Sequence, residues 1–460
     1  MGSTPRFAIT GHPNKGKSSI VATLSEDETV GISELPGTTR DAHTYPMRMD
    51  GETLYELIDT PGFQRAREML EWLKNHQTSV AGRREAVVRF VEKFADDPRF
   101  HDECELLKPI LNGAGILYVV DGAHPYGSEY ENEMQILQWT GQPRLALINL
   151  IGGEAYVEEW RRALDQYFSI VRVFDAQHAD FNKRIDLLRA FQALDESWSV
   201  SLDLAIGVLQ ENRQQRLHRA AREIAELLLC VMCMAESAQL VDENIDPHLE
   251  SNLAQKLKDN IRLREEQSCD VLQQLCGHAN LQRNIEQLHL LQEDLFSERS
   301  FRLFGLSNTQ LAITGVASGA IAGGGLDMMV GGASLFLGAG LGAVLGGVTA
   351  LFGARKISDV EVLGSPIGGY ELKVGPVTDP NFPWVVLGRV VLFYRLVSER
   401  NHARRGEILV SSEDANSFSE SMNLKQRQGL SDLFKQIRDQ QMIDTKGMTK
   451  LVRQIVYLCK

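Results

Sequence analysis

The sequence predicts an α/β domain at its start, then a mostly α-helical region with a glycine-rich apolar helical hairpin, then a small α+β C-terminal part. Three observations carry this. Phe7-Ala8-Ile9-Thr10, a short apolar run, leads through Gly11-His12-Pro13-Asn14-Lys15-Gly16-Lys17-Ser18 into the helix-like Ser19-Ile20-Val21-Ala22-Thr23-Leu24. Residues 196–300 are poor in Gly and Pro and space apolar residues three and four apart. From Leu303 to Ala354 the only charged residue is Asp327, set among many glycines. At 460 residues the chain is long for one domain. It divides as 1–195, with a helical insertion at about 64–112, then 196–300, 301–356 and 357–460.

The first element is strand, glycine loop and helix, the setting that GxxxxGK[ST] requires. Glycines at both ends let the backbone wrap with its N–H groups inward, as an anion cradle. Lys17 then reaches β- and γ-phosphates, and the Ser18 hydroxyl faces Mg2+. Next comes Glu34-Leu35-Pro36-Gly37-Thr38-Thr39-Arg40-Asp41. A threonine in a loop downstream of a phosphate loop can reach the metal only when a γ-phosphate is present, which makes the loop a sensor. Leu54-Tyr55-Glu56-Leu57-Ile58 reads as a strand ending in Asp59-Thr60-Pro61-Gly62. Asp59 fits a second metal contact, and the Gly62 N–H fits a γ-phosphate contact.

These three motifs, GxPNxGKS, PGTTRD and DTPG, resemble in order and spacing the Era/TrmE/EngA group of translation-factor-related GTPases. The likeness is strong over about residues 5–62 and weak over 115–176. It implies a Ras-like P-loop GTPase fold over 1–195 and GTP hydrolysis with Mg2+. The metal ligands it implies are Ser18, Thr39 and Asp59, and the catalytic residues Lys17, Thr39 and Gly62. Nucleotide contacts would come from Gly11, Asn14, Lys15, Gly16, Lys17, Ser18, Ser19, Thr39, Asp59, Gly62, Asn149 and Ala176. Asn14 matches an asparagine that helps bind an activating K+ in several members, so K+ is a further expected cofactor. Phe63 stands where Ras-type proteins place a water-orienting glutamine, and an apolar side chain cannot orient water. Slow intrinsic turnover is expected, with a cation or partner supplying the missing help.

Gly115-Ile116-Leu117-Tyr118-Val119-Val120-Asp121 and Arg144-Leu145-Ala146-Leu147-Ile148-Asn149 read as further buried strands around an acidic helix, Glu129 to Trp139. Asn149-Leu150-Ile151-Gly152 aligns with the base-reading NKxD motif. It keeps the Asn but loses the Lys and the Asp that accepts from guanine, with Glu154 close by in sequence. Val171 to Ala176 reads as the last strand, with Ala176 near the base, and Asn182 to Leu194 as the closing helix. Between Phe63 and Gly113 lies a long charged segment, with helical spacing at 65–75 and 81–95. It is either a solvated excursion or the contact for a protein partner gated by nucleotide.

Beyond residue 196 three helices are expected, broken near Asp246-Pro247 and near 277–280. Cys230-x-x-Cys233 lies in an apolar helical run and reads as core thiols rather than a metal or redox pair. In 303–354, Gly338-x3-Gly342-x3-Gly346 is a ladder that lets helices approach closely. Its arms of 20 and 26 residues, at ~1.5 Å per residue, each reach a hydrocarbon thickness of ~30 Å. Arg302 and Arg355-Lys356 would flank one side. Membrane association through 303–354 is the favoured expectation, and a hairpin buried among soluble domains the alternative. Residues 384–405 interleave aromatic and aliphatic residues with five arginines, as a helix with a basic face would.

Hydrophobic residues at 43% and charged ones at 24% are those of a globular protein. The net charge of −13 argues against bulk nucleic-acid binding. Residues 1–195 hold 21 Lys and Arg against 30 Asp and Glu, whereas the last sixty hold 10 against 7. That basic end is compatible with RNA or anionic lipid. Six cysteines and a start without a secretory signal point to the cytoplasm, or to the cytoplasmic side of the inner membrane. Three readings therefore stand: a membrane-associated GTP/GDP switch, a soluble ribosome- or RNA-associated GTPase, and a nucleotide-binding module with little hydrolysis.

Overall fold

The computed structural model describes residues 4–13, 15–25, 41–49, 52–176, 178–240, 247–276, 294–306, 310, 354–358, 361–362, 365–366, 370–398, 422–440 and 442–460. It divides into two compact units, one holding Met1–Arg213 and the other Gln214–Ser398 with the C-terminal helices.

The first unit is built on six strands: β1 (Arg6–Thr10), β2 (His43–Met49), β3 (Glu52–Asp59), β4 (Gly115–Asp121), β5 (Arg144–Asn149) and β6 (Ile170–Phe174). Their order in the sheet is β2-β3-β1-β4-β5-β6. Only β2 runs antiparallel to its neighbour. Side chains alternate across the sheet. Phe7, Ile9, Leu57, Leu117, Val119, Leu145 and Leu147 enter one core. Ala8, Ile58, Ile116, Tyr118, Val120, Ala146 and Ile148 enter the other. Burial on both faces is why β4 and β5 read in sequence as unbroken apolar runs.

Helices α1 (Lys17–Ser25) and α7 (Phe181–Gln192) and the first part of α8 (Ser199–Cys233) cover the first core. Helices α2 (Ala66–His76), α3 (Arg83–Phe94), α4 (His101–Leu111), α5 (Glu129–Trp139) and α6 (Val157–Leu164) cover the second. Three helices thus fill the stretch between β3 and β4. Strand β2 carries Pro46, which costs a ladder hydrogen bond, and it lies at the sheet edge where that loss is tolerated. The sequence reading has no strand there, because His43-Thr44-Tyr45-Pro46 carries no apolar alternation.

In the second unit α8 continues to Cys233, followed by β7 (Glu236–Leu240) and α9 (Pro247–Leu275). Then come α10 (Glu298–Phe304), β8 (Ala354–Ser358), β9 (Glu361–Val362), β10 (Ser365–Pro366) and β11 (Tyr370–Val374). Among the described residues, three helices follow: α11 (Phe382–Ser398), α12 (Leu424–Gln440) and α13 (Thr445–Leu458). β7-β11-β8 form an antiparallel sheet. Strand β7 is absent from the sequence reading because Glu236-Ser237-Ala238-Gln239-Leu240 lacks β-branched residues.

Two expectations are corrected here. The basic face foreseen on 384–405 is not a solvated face over α11, which is buried along nearly its whole length. Arg389 is 5% exposed and pairs with Glu265, Nε to Oε1 at 2.7 Å. Arg395 donates from Nε to the Leu458 carbonyl at 2.8 Å. Nor are both thiols of Cys230-x-x-Cys233 in the core: Cys230 is exposed and Cys233 half-buried. The buried stripe of α8 runs instead through Ile224, Leu227, Leu228 and Val231. The foreseen hairpin, 301–356, lies almost wholly outside the described residues. Among those residues no helix is long and apolar enough to cross a membrane.

Candidate functional site

The site lies at the C-terminal ends of β1, β3, β5 and β6. There β1 sits between β3 and β4, a topological switch point where doubly wound sheets bind ligands. After Thr10 the chain turns at Gly11, with φ +133°, and again at Gly16, with φ +81°. A Cβ on Gly16 would lie 2.3 Å from Asn149 Nδ2, so only glycine fits both this backbone and this neighbour.

Lys17 begins α1 and is 8% exposed. Its ammonium curls back, donating to the carbonyl of Gly11 at 3.2 Å and of His12 at 3.1 Å. Burial lowers its pKa, and the charges of Asp59 and Glu133 oppose that fall. Ser18 Oγ donates to Asp59 Oδ2 at 2.7 Å. Asp59 closes β3 at 3% exposure, and Thr60 Oγ1 beside it donates to the Ile9 carbonyl at 2.8 Å. The end of β3 is thereby fixed to β1, and the carboxylate is held over the start of α1. A hydroxyl and a carboxylate so placed are hard oxygen ligands of the kind that hold Mg2+ beside phosphates. Gly62 abuts the loop as well: a Cβ there would lie 2.8 Å from Pro13 N.

Asn149 is 1% exposed and laces two segments together. Its Nδ2 donates to the Lys15 carbonyl at 3.2 Å, and its Oδ1 accepts from Ala176 N at 3.1 Å. Thr23 Oγ1 donates to the Ala176 carbonyl at 2.8 Å. The structure thus gathers Gly11, Lys15, Gly16, Lys17, Ser18, Asp59, Gly62, Asn149 and Ala176 around one loop. Ser19 lies in the first turn of α1, its carbonyl accepting from Thr23 Oγ1. Asn14 and Thr39 lie outside the described residues. Gly152, in the place of the guanine-reading Asp, packs near Ala123, and Glu154 is exposed.

Sequence reasoning missed a partly buried network beside the loop. His12 Nδ1 lies 2.9 Å from Glu133 Oε1, and Tyr118 OH donates to Glu133 Oε2 at 2.8 Å. Burial drives the Tyr118 pKa well above its ordinary value, with the Glu133 charge adding to the rise. The available signal was Glu133 itself, a carboxylate on the apolar face of α5 beside Tyr130, Met134 and Leu137. Lys15 Nζ lies 3.7 Å from Asp121 Oδ2, which His124 Nδ1 approaches at 2.6 Å.

Comparison with known proteins separates the two parts of the chain. Residues 6–150 match the family model described as 50S ribosome-binding GTPase. Residues 161–456, more than half of the chain, match the model described as domain of unknown function (DUF3482). The chain belongs to this second family. Its first part is a P-loop GTPase domain similar to that of GTPase Der. GTPase Der of Aromatoleum aromaticum is 49% identical over 70 residues, which are 15% of this chain and 16% of the relative. GTPase Der of a Thermoanaerobacter species is 34% identical over 121 residues, 26% of this chain and 27% of the relative. The chain therefore spans about a sixth to about a quarter of the length of these relatives. Among solved structures, Era in complex with MgGDPNP and nucleotides 1506–1542 of 16S ribosomal RNA has 17% identity and a TM-score of 0.30, over 42% of this chain and 57% of that one. Aquifex aeolicus Era, as a variant bound to GDP and AlF4−, has 15% identity and a TM-score of 0.30, over 57% of this chain and 89% of that one.

Proposed function

We propose that the chain is a GTP-binding and GTP-hydrolysing molecular switch whose nucleotide sits in the loop between β1 and α1. The observation that carries this is the convergence of Lys17, Ser18 and Asp59 at that loop, with Asn149 joining it to Ala176. In this reading the Lys17 ammonium exchanges the Gly11 and His12 carbonyls for β- and γ-phosphate oxygens, where it offsets the charge of the transferring group. Ser18, Thr39 and Asp59 would hold Mg2+, which would supply positive charge beside the phosphates. The Gly62 N–H meets the γ-phosphate, and Asn14 offers a K+ contact. Asn149 and Ala176 face the base. Phe63 is 1% exposed and belongs to the core under α2, so it does not reach the attacking water. Intrinsic turnover is accordingly slow. The nucleotide part is residues 1–195 with its insertion at 64–112, and the parts that follow are 196–300, 301–356 and 357–460.

The test is titration of fluorescent GTP, GDP and ATP analogues into the full chain with Mg2+. GTP and GDP should bind, ATP more weakly, and Lys17→Ala should lose all three. Equal binding of ATP and GTP removes the guanine assignment. Retained affinity in Lys17→Ala removes the phosphate-loop assignment.

A second reading concerns where the switch acts. The composition of Leu303–Ala354, one charge among many glycines, favours a lipid surface. The description of the family matched by 6–150 favours a ribosomal one. Flotation with anionic vesicles and co-sedimentation with ribosomes separate them. Membrane association predicts flotation that is lost on deleting 303–354, and pelleting with ribosomes instead would overturn it.

A further inference from the structure

Helix α4 stands between the ends of the two segments that would sense the γ-phosphate. Glu103, in its first turn, is 0% exposed. Its Oε1 accepts from the backbone N–H of Gln64 at 2.9 Å and of Arg65 at 2.6 Å. These N–H groups lie two and three residues beyond Gly62, at the N-terminus of α2. That helix has Arg65 at its cap position and no side-chain cap of its own. Helix N-termini need acceptors for their first N–H groups and favour negative charge. Here a carboxylate from another helix sits at that end and accepts from the two N–H groups just before the first turn. The other oxygen, Oε2, is buried without a hydrogen-bond partner among the described residues. An orphaned buried acceptor carries a cost that an exposed Ser or Asp at residue 65, bonding N–H groups further into the first turn, would avoid.

The same turn touches the other segment. His101 Nε2 lies 3.2 Å from Asp41 Oδ1, and Ala42 N lies 3.5 Å from Glu105 Oε2. Asp41 and Ala42 are two and three residues past Thr39. At about 100° per residue, positions 101 and 105 share a side of a helix and position 103 faces roughly the opposite way. One turn of α4 therefore bridges the chain leaving the first sensor segment and the chain leaving the second. Phe63, immediately after Gly62, is anchored in the core that α2, α3 and α4 share.

We propose that Glu103 is a positioning residue: it holds the backbone after Gly62 in the place that a γ-phosphate requires, and with His101 and Glu105 it couples the two sensor segments through α4. This rests on the nucleotide reading above. A diphosphate lacks the group that both segments would meet, so the coupling should be felt by a triphosphate alone.

The experiment compares affinities for a non-hydrolysable fluorescent GTP analogue and for fluorescent GDP, each with Mg2+, in full-length wild type and variants. Glu103→Ala should weaken the triphosphate analogue about tenfold and GDP less than about twofold. Glu103→Gln keeps one acceptor oxygen and should recover most of the loss. His101→Ala, at a side chain 45% exposed, should shift the ratio in the same direction without threatening the fold, and it decides the matter if Glu103→Ala does not fold. A purely structural cap would lower thermal stability and leave the triphosphate-to-diphosphate ratio unchanged in every variant, and that result overturns the proposal. If wild type binds neither nucleotide, the failure lies with the nucleotide reading itself, and this proposal falls with it.

Discussion

At the scale of single residues the phosphate loop depends on atoms that cannot move. Gly16 combines a left-handed backbone with a neighbour, Asn149 Nδ2, where a Cβ would go. A non-glycine residue in that conformation costs about 1–2 kcal/mol, and pushing Asn149 aside forfeits its two bonds at about 0.5–1.5 kcal/mol each. Gly16→Ala should therefore lower stability by roughly 2–5 kcal/mol by these measures, seen in a denaturant melt without nucleotide. It should also weaken every nucleotide alike, because the Lys15 carbonyl and the Ala176 N–H lose their common partner. Unchanged affinity would mean that Asn149 does not organise the site. The loop itself was legible in the sequence because Gly11, Gly16, Lys17 and Ser18 stand at a fixed spacing between an apolar run and a helical one. Glu133 and Glu103 were not, because a carboxylate on a helix's apolar face shows its partner only after folding.

At the scale of elements, α4 carries a titration of its own. Burial raises the Glu103 pKa above the ordinary carboxylate value. The Arg65 and Gln64 N–H groups, and that of its own residue, oppose the rise, and Asp102 adds to it. A carboxyl with a raised folded-state value favours folding most below its unfolded value, and that contribution is lost as pH rises through the folded value. Glutamine does not titrate. From about pH 8 to about pH 5 wild type should gain stability relative to Glu103→Gln. Paired thermal melts across this range would show it, and a constant difference would mean that Glu103 titrates alike in both states. The elements themselves were readable where burial on both faces makes unbroken apolar runs, as in β1, β4 and β5. They were unreadable at β2 and β7, two short strands with little apolar pattern of their own. Their place comes from a neighbouring strand, β3 and β11 respectively, which is tertiary information.

At the scale of the whole molecule, the two units rest on separate cores and are stabilised by different chemistry. The first has two apolar layers about its sheet. The second packs α11 into its middle and places an ion pair there. Arg389 reaches Glu265 Oε1 at 2.7 Å from Nε and Oε2 at 3.4 Å from Nη2, and Ser300 Oγ at 3.2 Å from Nη1. Removing one partner of a buried pair costs about 3–5 kcal/mol, because the remaining charge stays in the core. Glu265→Ala should therefore destabilise this second unit by about that amount, while Glu265→Leu combined with Arg389→Met should recover much of it. A nucleotide at about 100 times its Kd should stabilise Met1–Arg213 by about 2.7 kcal/mol. Hydrogen exchange read by mass spectrometry assigns each effect to its own stretch of chain. Protection added by GDP should fall on β1, α1 and the 149–176 region, and protection lost in Glu265→Ala should fall on α9, α10 and α11. Loss spread evenly over both units would show that the ion pair serves the chain as a whole, and the separate cores would then not be separate in stability.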